Sequence, residues 1–251
     1  MTVRCTSLFF VWTAAPYYFY MRLDAAALGC GAYVVVHEAL RFQLHEIYGE
    51  QDCGGTPCWR ARLVLFAQTI CMPMACCAAA WNHNWSLRQW CTDSGLNGPN
   101  VATRLLNYIF YVYLLLDCWY VYLFPDVLIM RMLMIIHHVI CFLGHTYALF
   151  FCPSATLPCY VAGITFLEIG SAFANVFHIW RWWSIAEPLY FGGMALANGV
   201  ALILMWYWNV IAKEVGVHAL RRWPAMICTV LLIYFRQKEV QILTGLPGFM
   251  Y

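Results

Sequence analysis

Charge is what this chain lacks. Only 10% of its 251 residues are Asp, Glu, Lys or Arg, against 63% hydrophobic residues, where a soluble domain carries roughly a quarter charged. That shortage excludes an ordinary water-solvated surface and points to a membrane protein. No basic run exists either: the 14 Lys and Arg are scattered and the formal charge is +2, so neither a nucleic-acid surface nor a polybasic lipid-binding segment is present. Polar stretches long enough to form an extramembrane domain are missing, and so are internal repeats and the paired broken segments of secondary transporters.

Cysteine is abundant, with 13 residues, but most lie in apolar runs. Cys71, Cys76, Cys77, Cys118, Cys141 and Cys228 read as small hydrophobes there. Cys53 and Cys58 differ, because "DCGGTPC" is a polar connection. A loop disulfide forms between them if the loop faces an oxidising compartment; zinc is the weaker reading, since one such pair supplies half a tetrahedral site. The N-terminal "MTVRCTSLFFVWTAAPYYFY" has an early Arg4 and an apolar run, yet it is aromatic, carries Pro16 and offers no small-x-small cleavage site. It reads as part of a first membrane segment or an interfacial lead-in.

What the chain does have is apolar runs of spanning length, about 20 residues each. Five are clear: Leu63 to Trp81, Asn107 to Phe124, Val127 to Phe151, Thr156 to Trp180 and Pro188 to Ala212. A sixth runs from Leu23 to about Leu44, its second half made polar by His37, Glu38 and Arg41. The last, Trp223 to Phe235, is short, and Arg221, Arg222, Arg236 and Lys238 bracket it with charge that can snorkel to an interface. The expected fold is all-α, a polytopic transmembrane helix bundle of six or seven spans. Residues 1–58 form an N-terminal membrane segment and loop, 59–235 the main transmembrane domain, and 236–251 a tail. "PD" at Pro125 and "FCPSATLP" mark tight turns between antiparallel neighbours.

Inside these runs stand groups that hydrocarbon does not tolerate. An ionisable side chain at bilayer depth costs about 2.5–3.5 kcal/mol on insertion scales, so each demands a partner, a cavity or a function. Asp117 sits within "YIFYVYLLLDCWYVYLF"; His137, His138 and His145 lie in "MIIHHVICFLGHTYALF"; Glu168 and Asn175 are in the next run, and Gln68 in "LVLFAQTICM". His138 and His145 fall on nearly the same helical face, with His137 turned about 100° away. Glu168, Ser171 and Asn175 make one polar stripe, which must face the bundle interior. Interhelical hydrogen bonding alone is one reading of Gln68 and Asn175, and a place in a polar pocket is the other. A histidine pair beside a carboxylate is also the minimum for general-base or nucleophilic chemistry. HxxxH spacing is absent, and no metal is expected.

These residues resemble the TLC-domain family, which includes the ceramide synthases and smaller multi-pass proteins. The likeness rests on a "YxxYDxL"-like run at Tyr111 to Trp119, whose aspartate would be Asp117, on the pair His137–His138, and on Glu168, Ser171, Phe173 and Asn175, which are similar to the family's "ELSTPFxN" segment. Upstream, "WRARLVLFAQTI" resembles "WRxRNxxVSxxHS", with Gln68 where a histidine is usual. The resemblance covers roughly Trp59 to Trp180. It implies that the histidine pair is an acyl-transfer centre in the synthase branch, where two acidic residues follow. Here Ser171 holds the second acidic position, so the likeness is closer to the non-synthase members, which are associated with lipid composition, sensing and transport in endomembranes.

The expectation is therefore a lipid-handling protein of the endoplasmic reticulum or another endomembrane, with acyltransferase activity among its candidate functions. Its partners would be membrane lipids, fatty acyl-CoA or a sphingoid base, and no nucleic acid. It would need no cofactor beyond acyl-CoA as a substrate. His137, His138, Glu168 and Asp117 would be catalytic, and His145, Ser171, Asn175 and Gln68 would contact lipid. The rivals are a non-catalytic lipid-binding or regulatory protein and a channel or proton-coupled transporter.

Overall fold

The computed structural model describes residues 25–91, 101–123, 128–151 and 157–245. The leading segment up to residue 24, residues 124–127 around Pro125 and residues 152–156 within "FCPSATLP" lie outside these. Helices account for nearly all of the described chain: α1 (Ala25–Tyr48), α2 (Cys58–Asn82), the short α3 (Leu87–Cys91), α4 (Val101–Leu123), α5 (Leu128–Phe151), α6 (Leu157–Ile179), α7 (Ala186–Glu214) and α8 (Ala219–Thr244). No strand occurs among the described residues beyond an isolated bridge between Asp52 and Pro57. Four segments, Cys58–Asn82, Val101–Tyr120, Tyr160–Ile179 and Ala186–Glu214, are long and apolar enough to cross a membrane.

α2 is not a uniform helix. Ala67–Cys71 forms a π-helical turn, immediately before Pro73. Proline has no N–H to donate and its ring collides with the carbonyl four residues back, so a locally widened turn is the natural accommodation. The widened turn holds Gln68, which is buried.

Among the described residues α6 and α7 form the most extensive helix pairing, and small residues let them approach. A Cβ on Gly163 would stand 3.0 Å from Met205 Sδ, and one on Gly170 would stand 2.8 Å from the Ala197 Cβ. Lipid tails are as apolar as leucine, so in a membrane close backbone approach through Gly and Ala is what holds helices together. At the turn between these helices Trp182 and Trp183 are exposed, as expected of tryptophans at a membrane–water boundary.

The short apolar run from Trp223 is part of the 26-residue helix α8, which at 1.5 Å per residue is roughly 39 Å long. The helix continues without a break past Phe235 to Thr244, where Gly245 caps it at φ 70°. Arg236, expected to snorkel, instead turns inward and is 1% exposed. The absence of a side chain at Gly170 leaves the guanidinium its place.

Candidate functional site

The loop between α1 and α2 is tied into a small knot. Cys53 and Cys58 are joined in a disulfide with Cα atoms 5.1 Å apart. Cys53 N–H donates to Thr56 O at 2.8 Å, and Gly55 N–H to Asp52 Oδ1 at 2.9 Å. Gly54 and Gly55 have φ of 74° and 94°, a left-handed conformation that suits glycine. The knot brings Gly54, Gly55 and Thr56 over a polar cavity of about 70 Å³. That is room for a few water molecules or a small polar group, and too little for an acyl chain.

Below the loop, α2 presents Arg60, Val64 and Gln68, four residues apart, to the cavity. Arg60 and Asp117 of α4 are 6% and 3% exposed. The guanidinium forks onto the carboxylate, with Nε and Nη2 at 3.2 and 3.1 Å from Oδ1 and Nη2 at 3.2 Å from Oδ2. Nη1 donates to Thr56 Oγ1 at 3.1 Å. A forked, charge-assisted pair of this kind is the arrangement in which buried charges compensate one another.

Asp117 also holds His138. Its Oδ2 lies 2.6 Å from His138 Nε2, while His138 Nδ1 lies 2.7 Å from the carbonyl of Met134 one turn back. A carbonyl only accepts, so Nδ1 carries a hydrogen, and a second hydrogen lies between Nε2 and the carboxylate. Both nitrogens are therefore committed. His137 is the opposite case: its ring stands 5.4 Å from that of His138, it lines the cavity, and it makes no hydrogen bond to the described residues.

The second half of the network centres on Glu168 of α6. Its Oε2 accepts from Gln68 Nε2 at 2.9 Å and from Tyr113 OH at 3.1 Å. Gln68 Oε1 accepts from Asn175 Nδ2 at 3.0 Å, which fixes the sense of the amide. Asn175 also reaches Ser171 O at 3.3 Å. Ser171 Oγ in turn accepts from Arg236 Nη1 at 2.8 Å.

The structure thus brings together Asp117, His137, His138, Glu168, Ser171, Asn175 and Gln68 around one cavity. His145 is not among them. It is fully buried at 0% exposure, edge-on to Phe110 at 4.9 Å and flanked by Tyr111 and Tyr160. Neither of its ring nitrogens has a hydrogen-bond partner. Sharing a helical face with His138 does not place it at the same depth: seven residues separate the two along α5, roughly 10 Å of rise. An unsatisfied buried polar group costs about 1–3 kcal/mol, so His145→Phe, which keeps the ring and removes the orphaned nitrogens, should raise the unfolding temperature of the detergent-solubilised protein.

Three members of the site escape a reading of the apolar runs. Arg60 lies three residues before the start of one, inside "WRAR"; Tyr113 precedes Asp117 by one turn; Arg236 lies just past the end of another. The i, i+4 spacings Arg60–Val64–Gln68 and Tyr113–Asp117 are the signal that would have found the first two. Among the described residues no three His, Cys, Asp or Glu side chains gather as a metal-binding set. No known protein family, curated protein or solved structure matches the chain.

Proposed function

We propose that the protein is a TLC-like, multi-pass lipid-handling protein with six or seven spans, residing in the endoplasmic reticulum or another endomembrane. One observation carries the reading: two hydrogen-bonded groups of charged and polar side chains, Arg60–Asp117–His138 and Gln68–Tyr113–Glu168–Asn175, line one small cavity in a helix bundle with four segments fit to span a bilayer. Such a network at membrane depth is costly unless it serves a polar ligand or its chemistry. The cavity takes a head group, and the acyl chain runs outside it along apolar helix surfaces. Membrane lipids with a small polar head or a sphingoid base fit this division, and a fatty acyl-CoA would present only its thioester to the cavity.

A second reading, acyl transfer, is favoured by the unbonded imidazole of His137 at the cavity wall. In that reaction His137 takes the proton of the acceptor amine as the amine attacks the thioester carbon, and the proton then goes to the departing thiolate. Glu168 lines the same cavity, and the Asp117–His138–Arg60 group holds the neighbouring imidazole in place. Lipidomics of cells lacking the protein, restored with the wild type or with the His137→Ala/His138→Ala form, tests the proposal. A lipid class should shift on deletion and return only with the wild type; identical lipid pools in all three would sink it.

A further inference from the structure

The loop between α1 and α2 stands over the cavity and carries a bond that chemistry can open. The cavity wall runs from Gly54–Thr56 down α2 to Gln68, and it includes His178 near the C-terminus of α6 and Leu243 near that of α8. The start of α2 and the ends of α6 and α8 therefore share one end of the bundle, and the loop lies across it. Its tip is seated on α6: a Cβ on Gly54 would stand 3.3 Å from Arg181 Nη1 and 3.6 Å from His178 Nδ1. Thr56 Oγ1, in the same loop, accepts from Arg60 Nη1 at 3.1 Å.

What holds the loop in this shape is local. Cys53 and Cys58 are five residues apart in sequence, and cross-linking so short a loop gives the least stabilisation to the chain as a whole. The bridge ties no two long helices together; it joins the loop to the first residue of α2. It is also open to reduction. Cys53 is partly exposed while Cys58 is 2% exposed, so Cys53 is the side an incoming thiolate reaches and Cys58 is the side that leaves. Cys58 begins a helix that has no side-chain cap, where the helix dipole and the Arg60 guanidinium two residues on favour a thiolate. A thiol whose pKa is lowered leaves faster.

From these observations we infer that residues 53–58 form a redox-controlled lid: with the disulfide closed the loop covers the cavity, and reduction by a dithiol releases it. One dithiol sulfur attacks Cys53 Sγ, forming a mixed disulfide as the Cys53–Cys58 bond breaks and Cys58 departs as a thiolate. The second dithiol sulfur then attacks the first, closing the oxidised reductant and freeing Cys53. Two electrons pass from dithiol to disulfide, and the two dithiol protons end on the two cysteines. Because such a bridge persists in an oxidising compartment, the lidded end of the cavity faces that side of the membrane. The Arg60 fork onto Asp117 and the helix packing below do not depend on the bridge, so the lid governs access more than stability.

The test uses the full chain in neutral dodecyl maltoside micelles, with Ala174→Cys or Val64→Cys as a reporter on the cavity wall. Each sample is kept oxidised, or reduced with dithiothreitol and desalted, then pulsed with iodoacetamide. Labelling is read residue by residue by mass spectrometry, alongside a melting curve. Reduction should speed labelling of the reporter thiol about tenfold or more, as a local opening does. It should leave labelling of the native thiols of Cys76 and Cys228 unchanged and lower the unfolding temperature by no more than a few degrees. Cys53→Ser combined with Cys58→Ser should show the fast reporter rate without any reductant. Equal reporter rates in the oxidised, reduced and double-serine forms would overturn the lid. Faster labelling at Cys76 and Cys228 as well, with a large fall in unfolding temperature, would make the bridge a staple of the whole bundle and overturn it too. So would a bridge that dithiothreitol reduces only after unfolding, or Cys53 and Cys58 found as free thiols in membranes alkylated before lysis. No lipid enters the test, so its failure and that of the lipid-handling reading are read separately.

Discussion

Asp117→Asn should destabilise the bundle by about 3–5 kcal/mol, the range seen when one partner of a buried ion pair is removed. The carboxylate is the common acceptor for the Arg60 fork and for His138 Nε2. An asparagine amide offers one acceptor oxygen, places N–H hydrogens where the other oxygen stood, and leaves the Arg60 charge uncompensated at 6% exposure. Thermal unfolding in a neutral detergent is the measurement. Combining Arg60→Met with Asp117→Leu should recover most of the loss, because a buried pair replaced by apolar residues of similar volume is often neutral or better. If the double substitution is as unstable as Asp117→Asn alone, the pair is holding the fold in some way other than charge compensation.

The two adjacent histidines should separate by readout. His138→Ala removes a side chain bonded at both nitrogens, so it should lower the unfolding temperature along with any activity. His137→Ala removes a ring with no hydrogen bond to the described residues, and it should leave stability nearly unchanged. If the protein transfers acyl groups, that same change should reduce turnover by about 10²–10⁴-fold, the usual contribution of a positioned general base. Conversion of a labelled sphingoid base by purified protein with acyl-CoA, alongside a melting curve for each variant, separates the effects. Full turnover in His137→Ala would remove His137 from the chemistry and leave the cluster as a binding device.

Much of the site was legible because hydrocarbon is an unforgiving solvent. Asp117, His138, Glu168, Gln68, Ser171 and Asn175 each interrupt an apolar run, and polar groups that lipid cannot satisfy must find one another. The arginines were harder, for a physical reason. Arg60 and Arg236 sit at the ends of apolar runs, where a long side chain can reach water as readily as the interior, and only the tertiary structure decides. For Arg236 the decision lies in Gly170 on another helix. His145 shows the reverse failure: helical phase placed it correctly towards the interior, but phase carries no information about depth. The long helices follow from hydropathy, apart from the short α3 in a polar connection, the polar first turns of α2 and α4, and the polar last turns of α8, which continue a helix that composition alone would end at Phe235.

The widened turn in α2 sets the two halves of that helix out of phase. One residue more than an α-helical turn needs is lodged between Phe66 and Met72, equivalent to a rotation of about 100°. The Arg60–Gln68 half is thereby aimed at the cavity independently of the half from Met72 onwards, whose Met72, Ala75 and Ala79 are buried in the core. Loss of a single residue from Ala67–Cys71 would bring the halves back into register, swinging one of them off its target and pressing the Pro73 ring against a regular helical carbonyl, at about 3 kcal/mol or more. Point substitutions around Gln68 can therefore reshape the cavity wall, but the helix there tolerates no change in length.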